Sequence, residues 1–207
     1  MKERDLKKFE AGIHYDIYEK MGAHPTEING VRGVYFAVWA PCAMRVSVVG
    51  DFNFWDGRRH MMRKLGDSGI FDLFIPGVEP GMIYKYEVKA QNGDNLLKAD
   101  PYGNYSELRP ANASVIWDIS QYQWNDAEWM EQRRKADTRE QPMSIYEMHL
   151  GSWIRKPIEL DEGDQEIVDS GFYNYREIAV KLAEYVKEMG YTHVELLPVM
   201  EQSLIHI

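Results

Sequence analysis

The stretch VYFAVWAPCAMRVSVVGDFNFWDG, residues 34–57, decides the fold of this chain. In its first part Val34, Phe36 and Val38 face one way, which is the period-two pattern of a strand with one buried face. The stretch then ends in a turn that displays aromatic side chains beside short polar ones. This combination suits a sugar ring, because the faces of a sugar are apolar and its rim is polar.

The period of two continues through the region 31–118. Residues 46–48 extend one face after the break at Ala40-Pro41, and two further strands come next, separated by glycine and proline turns. The inward side chains expected on those strands are Phe71, Leu73, Ile75, Tyr84, Tyr86 and Val88. Short strands at this spacing predict an antiparallel, immunoglobulin-like β-sandwich.

The segments on either side of the sandwich have other patterns. Residues 1–30 are polar and predict a lead-in that packs on the sandwich, and residues 119–142 are charged and predict a linker helix. Residues 143–207 predict a single βαβ unit of a parallel sheet, joined by a right-handed crossover. Its strand, helix and strand are expected at residues 144–150, 173–189 and 193–197.

The helix of this unit carries signals at both ends. Asn174 is placed to cap its start, and Glu177 lies three residues later, as in a capping box. Gly190 lies just past the end, where a left-handed residue closes many helices. We therefore expect a well-defined helix between the two strands.

Composition and charge exclude several classes of function. The 207 residues are 44% hydrophobic and 28% charged, which is ordinary for a folded protein. The net charge of −9 disfavours nucleic acid and anionic membranes as partners. We expect neither a signal peptide nor a spanning helix, since no apolar stretch is long enough for either. Cys42 is the single cysteine and favours a reducing, cytoplasmic location.

Several segments resemble the N-terminal part of the 1,4-α-glucan (glycogen) branching enzymes, which belong to the α-amylase superfamily. The Trp-Ala-Pro and Gly-Asp-Phe-Asn-x-Trp motifs are shared with isoamylase-type debranching enzymes, whereas residues 143–153 point more narrowly to branching enzymes. The matching segments are GAHP at 22–25, residues 34–63, YKYEV at 84–88, LKADPYG at 97–103, MSIYEMHLGSW at 143–153 and YTHVELLPVME at 191–201.

This resemblance implies that residues 25–120 are a family 48 carbohydrate-binding module and that residue 143 opens a (β/α)8 barrel. After Glu201 the sequence departs from the family pattern, so we expect a chain truncated by a frameshift or a premature stop. A complete barrel takes about 250 residues and eight strands. Retaining glycosyl transfer needs two carboxyl groups roughly 5–5.5 Å apart, and the family places them after later strands. We therefore assign no catalytic residue, no metal and no cofactor, and we expect the chain to be inactive.

The resemblance also implies which residues contact sugar. In related glycogen-binding modules the tryptophan after Gly-x-Phe-Asn-x stacks on a glucose ring, and Trp55 matches it; the alternative is packing on a neighbouring turn or on the barrel. Lys85 matches a lysine that binds glucan hydroxyls, although a solvated strand lysine is an equal alternative. Asn53 either bonds a hydroxyl or, as we favour, holds the turn. Trp39 is expected in core or interdomain packing.

Acidic residues and histidines on the second unit have simpler interpretations than catalysis. Glu147, Glu195 and Glu201 lie on or after its strands, and structural ion pairing is favoured for them. His149 and His193 lack a third ligand at metal-binding spacing, so core histidines are the better interpretation.

The sequence supports three hypotheses for the function. The first is an inactive fragment of a branching enzyme that binds α-glucan weakly, with glycogen or maltooligosaccharides as partners. The second is a fragment of an isoamylase-type debranching enzyme, and the third is a purely structural β-sandwich. The open strands of the last unit also predict non-specific self-association.

Overall fold

The computed structural model describes residues 1–108, 110–137, 139–157 and 171–199. The chain divides into two compact units, Met1–Asn125 and Asp126–Ile207. Strands dominate the first unit, and the second combines helices with two strands. Among the residues so described, no helix combines the length and the apolar character needed to cross a membrane.

Two antiparallel sheets form the first unit. One sheet has the order β1-β2-β5-β4, and the other has the order β3-β6-β9-β8, with β7 also paired to β6. The strands are β1 Gly22–Ile28, β2 Val31–Trp39, β3 Arg45–Gly50, β4 Arg63–Lys64, β5 Ile70–Pro76, β6 Ile83–Lys89, β7 Asn95–Lys98, β8 Tyr105–Ser106 and β9 Ser114–Val115.

The core lies between these sheets and follows the predicted alternation. Val34 and Phe36 on β2 are fully buried, and they share one cluster with Tyr84 and Tyr86 on β6. The rings of Phe36 and Tyr84 meet edge to face with centroids 5.1 Å apart, a favourable aromatic geometry. The prediction of a β-sandwich is confirmed.

The polar N-terminal segment contributes to the sandwich. Helix α1, Glu3–Glu10, brings Leu6 and Phe9 against a second cluster built around Ala37 and Ile70, on the other face of the first sheet. Strand β1 pairs with β2 from Gly22↔Ala37 to Ile28↔Val31. The sheet therefore begins before residue 31. Strand β1 lies at the edge of its sheet, and most of its side chains are partly or fully exposed, so hydrophobic alternation gave no signal for it.

The second unit contains the predicted strand, helix and strand. Strand β10, Ile145–Met148, pairs in parallel with β11, His193–Leu196. Between them runs helix α4, Tyr175–Met189, whose first turn is capped by Asn174 and Glu177 as expected. Gly190 ends this helix with φ 74°, in the left-handed region. Two other helices are α2, Ala127–Lys135, and α3, Leu150–Trp153.

Candidate carbohydrate-binding site

The candidate site is built on a strained turn that follows β3. A short 3-10 segment, Asp51–Asn53, is followed by Phe54 and Trp55, both with φ 58°. Bulky aromatic residues rarely adopt this left-handed conformation. Each such residue costs on the order of 1 kcal/mol and persists only where neighbouring contacts hold it.

Asn53 supplies those contacts from inside the turn. Its side chain is completely buried. Its Oδ1 accepts from the Gly50 N–H at 3.0 Å, and its Nδ2 donates to the Val48 carbonyl at 2.8 Å. A buried amide with these partners cannot reach a sugar, so the predicted hydroxyl contact of Asn53 is wrong. The turn role, which the sequence favoured, is the one observed.

His60 completes the anchor. Its Nδ1 lies 2.9 Å from Nδ2 of Asn53, and because an amide NH2 only donates, Nδ1 accepts this hydrogen bond. Burial lowers the pKa of His60, and the neighbouring charge of Arg59 lowers it further. A neutral imidazole is the form that this hydrogen bond requires.

Trp55 is partly exposed at the end of the turn. Its backbone N–H donates to the Gly50 carbonyl at 3.0 Å, and its indole Nε1 donates to Oδ1 of Asp51 at 2.8 Å. The indole is therefore oriented while part of its surface stays open. Phe54 beside it is 80% exposed.

Lys85 lies on the outward face of β6, since Tyr84 and Tyr86 on either side of it point into the core. Its ammonium donates to Oδ1 of Asn112, an exposed residue between β8 and β9. The pair presents a cation and an amide side by side. Sequence reasoning missed Asn112, because only the path of a loop brings it to Lys85.

The turn and Lys85 share one face of the five-stranded sheet. Gly57 closes the turn against Glu87, and a Cβ on Gly57 would overlap the Glu87 carboxylate. That carboxylate accepts from Arg45 at 2.6 Å. Glu87 lies two residues after Lys85 on the same strand, so both side chains point outward. We call this surface, carrying Trp55, Lys85 and Asn112, the outward face.

Trp39 does not lie in the core, contrary to one of its two expected roles. It is 53% exposed, and its ring meets Phe9 edge-on with centroids 6.1 Å apart. Its Nε1 donates to the Ser68 carbonyl at 3.2 Å. Its contacts are therefore at the rim of the first sheet, away from the outward face.

Glu147 and Glu195, on the two strands of the second unit, do not form the ion pairs expected of them. Glu147 and Glu195 are directly paired residues of β10 and β11, and both are exposed. No cation among the described residues lies within ion-pair distance of either one. Two like charges opposite each other on neighbouring strands destabilise the pairing slightly. Glu201 lies outside the described residues.

His149 and His193 are exposed and are not core residues. His149 hydrogen-bonds Ser152 at 3.1 Å, and His193 hydrogen-bonds Thr192 at 2.8 Å. The core assignment was wrong because it presumed a covered sheet, whereas the two-stranded sheet leaves these positions open. Over the described ranges, no three His, Cys, Asp or Glu residues converge as a metal site.

An apolar hollow of about 240 Å³ lies beside helix α4. Its lining residues are Leu150, Tyr175, Ile178, Ala179, Leu182, Leu196 and Val199. A sugar site needs several convergent polar groups, and this lining offers almost none. The outward face of the first unit is therefore the better candidate.

Part of the first unit matches a known family. Residues 20–103 match the family model of carbohydrate-binding module 48, the isoamylase N-terminal domain. The matched range contains Trp55 and Lys85, whereas Asn112 lies just beyond it.

Over nearly all of its length the chain is similar to 1,4-alpha-glucan branching enzymes. It is 52% identical to GlgB of Trichodesmium erythraeum over 96% of this chain and 27% of the relative. It is also 52% identical to GlgB of Rubrobacter xylanophilus over 97% of this chain and 26% of the relative. The chain thus spans about a quarter of the length of these relatives. The resemblance to branching enzymes is confirmed.

Solved structures show the same fold. A protein from Salmonella typhimurium described as a candidate alpha amylase superposes with a TM-score of 0.59 at 26% identity, over 87% of this chain and 25% of that protein. The GBS pullulanase SAP, solved with maltotetraose, superposes with a TM-score of 0.60 at 22% identity, over 87% of this chain and 24% of that protein. At this identity the second match supports the fold alone.

Proposed function

We propose that the module binds α-1,4-glucan chains on its outward face, with Trp55 as the stacking surface and Lys85 and Asn112 as partners of the sugar hydroxyls. The observation that carries this proposal is the strained turn, which Asn53 holds from below. Strain of this kind is concentrated at functional sites. Here its effect is to fix a partly exposed indole on the face that also carries a cation and an amide.

The chemistry of the three groups fits a neutral polymer of sugars. An aromatic ring covers the apolar face of a glucose unit, while an ammonium donates and an amide both donates and accepts at its rim. Contacts spread over an exposed sheet face predict weak binding, with Kd from about 1 mM to 1 μM, or roughly −4 to −8 kcal/mol.

Native electrophoresis in gels with and without glycogen tests this function. We expect glycogen to retard the wild-type chain and to retard Trp55→Ala much less. Trp124→Ala is the matched control, because Trp124 is 76% exposed elsewhere in the same unit, and it should be retarded like wild type. Equal migration of wild type with and without glycogen, or equal retardation of Trp55→Ala, would overturn the proposal.

We further propose that the 207-residue chain does not itself catalyse branching. The described part of its second unit has two barrel-type strands, and its opposed carboxylates, Glu147 and Glu195, stand on an open sheet without a polar pocket. The reaction needs an acid and a nucleophile held around one glycosidic bond. The iodine spectrum of amylose should stay unchanged after incubation with the pure chain, and a shift of that spectrum would contradict this.

We also propose that the chain lies in the cytoplasm and associates with itself. The free, exposed thiol of Cys42 supports a reducing, cytoplasmic compartment.

Exposed apolar side chains on the second unit support self-association, among them Ile145 at 52% and Val194 at 38%. Size-exclusion chromatography over a range of concentrations should show association that Ile145→Lys reduces. Monomeric elution at every concentration would exclude it.

A further inference from the structure

A second pair of aromatic rings lies exposed on the module. The ring centroids of Tyr105 and Trp117 are 5.1 Å apart, with 32° between the ring planes. Tyr105 is 52% exposed and Trp117 is 46% exposed. Two partly stacked rings thus remain open to water, although burying them would stabilise the fold.

Strand register places this pair on the outward face. Tyr105 pairs with Val115, and Val115 pairs with Ile83. Ile83 precedes Lys85 by two residues and therefore points to the same side. Trp117 lies two residues after Val115, and the intervening Ile116 is buried in the core, so Trp117 also points outward.

The distance across the sheet separates the two aromatic positions. Tyr105 lies two strands away from Ile83, which is about 10 Å at the usual spacing between strands. Asn112 bonds Lys85 from the segment that joins β8 to β9. The outward face thus carries Trp55, then an ammonium and an amide, and then the Tyr105–Trp117 pair. Aromatic surfaces with polar groups between them match successive units of a sugar chain better than an apolar protein contact would.

The geometry points to a second carbohydrate platform, formed by Tyr105 and Trp117, that contacts glucan units beyond those held at Trp55. This inference rests on the proposed glucan binding. It adds a length requirement, since only a chain that extends past Lys85 reaches the second platform. The platform selects longer linear α-glucans over short ones.

Calorimetric titration of the 207-residue chain with maltotriose and with maltoheptaose tests the platform. In Tyr105→Ala/Trp117→Ala we expect the Kd for maltoheptaose to rise about fivefold, the size of one lost stacking contact. The Kd for maltotriose should stay unchanged. Trp55→Ala should weaken both ligands.

A matched control is present in the same unit. Tyr122 and Trp124 form another exposed pair, with ring centroids 4.8 Å apart, and Tyr122→Ala/Trp124→Ala removes the same residue types. It should leave both Kd values at the wild-type level. An equal loss in this control would overturn the platform, because the effect would then not be specific to the outward face.

A second variant covers the case in which the alanine pair fails to fold. Tyr105→Leu/Trp117→Leu keeps apolar area but lacks flat rings, so we expect the same loss for maltoheptaose. Wild-type affinity in this variant would overturn the platform. So would a change confined to the oligomeric state, seen by size-exclusion chromatography, which would instead indicate a protein contact.

Failure of the second platform and failure of glucan binding, on which the platform rests, give different binding results. If wild type binds neither ligand, the proposed glucan binding has failed. If Trp55→Ala weakens both ligands while the Tyr105/Trp117 variants weaken neither, glucan binding stands and the second platform is wrong.

Discussion

Asn53 and His60 fasten the turn that presents Trp55, through a hydrogen bond of 2.9 Å between the Asn53 amide and the His60 ring. The same amide also holds Gly50 and Val48 at the end of β3. One buried side chain therefore ties together two backbone groups and the His60 ring. The position of the partly exposed Trp55 depends on this residue.

Replacing Asn53 by alanine should destabilise the module by about 2–4 kcal/mol. The substitution leaves the Gly50 N–H and the Val48 carbonyl buried without their partner, and each such group costs about 1–3 kcal/mol. Urea unfolding measures the loss. Asn92→Ala is the control, because Asn92 is exposed and its side chain bonds Asp94 within its own turn. This variant should change stability by less than about 0.5 kcal/mol. Equal effects would show that Asn53 does not anchor the turn.

Low pH should destabilise the same turn, because His60 becomes protonated. Because its pKa in the folded state is lowered from 6.5, the unfolded chain binds protons more readily. The stabilising contribution of neutral His60 is therefore complete above about pH 6.5 and is lost as pH falls through the folded pKa. Asp56 does not titrate in this range, since hydrogen bonds from Arg58 lower the pKa of Asp56 to about 2.

His60→Asn separates this effect from other titrations. An asparagine can still accept from Asn53 but carries no titratable group. Between pH 7 and pH 5, glycogen retardation should fall more steeply for wild type than for His60→Asn. Parallel pH profiles would exclude His60 as the source.

Relieving the strain at Phe54 should stabilise the fold. Phe54 has φ 58° and is 80% exposed, so Phe54→Gly removes a backbone penalty and little packing. The Arg59 guanidinium lies over its ring, 5.6 Å from the centroid. We expect a gain of about 0.5–1 kcal/mol in the free energy of unfolding. Tyr122→Gly is the control at φ −81° and should lose stability. If Phe54→Gly lowered the free energy of unfolding as much as Tyr122→Gly does, the left-handed turn would not be strained.

Removing the Tyr86 hydroxyl should weaken the core. It donates to the buried Asp100 carboxylate at 2.9 Å, beside Tyr84 at 2.6 Å. Tyr86→Phe should cost about 1.5–3 kcal/mol, because a hydrogen bond to a charged group is lost. Tyr122→Phe, at an exposed position, should be neutral. Near-equal melting temperatures of the two variants would contradict this.

The same substitution should alter the pH dependence of stability. Burial raises the pKa of Asp100, and the hydroxyls of Tyr84 and Tyr86 partly oppose that rise. Losing one hydroxyl should raise the pKa further. A raised carboxyl pKa favours the folded state at low pH, and this contribution is lost as pH rises through the folded value. Tyr86→Phe should therefore lose stability relative to wild type more at pH 7 than at pH 4.

The strand faces could be predicted from sequence because burial on them follows a period of two. Phe36 and Tyr84 meet in the core as that pattern required. Strand β1 was not predicted, because the largely exposed side chains of this edge strand do not alternate between apolar and polar residues. The turn role of Asn53 could be predicted, but its complete burial could not, because its partners are backbone groups that only the folded turn brings near. Asn112 meets Lys85 through loop geometry, which no local motif encodes.

Glucan binding at Trp55 is tested most directly by the response of its indole to sugar. Wild-type chain labelled at its tryptophan Nε1 atoms is titrated with maltoheptaose by NMR, and Trp55→Phe identifies the signal of Trp55. If Trp55 stacks on glucose, this signal shifts progressively and saturates between about 1 μM and 1 mM sugar, while the signal of Trp124 stays in place. A Trp55 signal that does not move while maltoheptaose binds, or no binding at all, would contradict it.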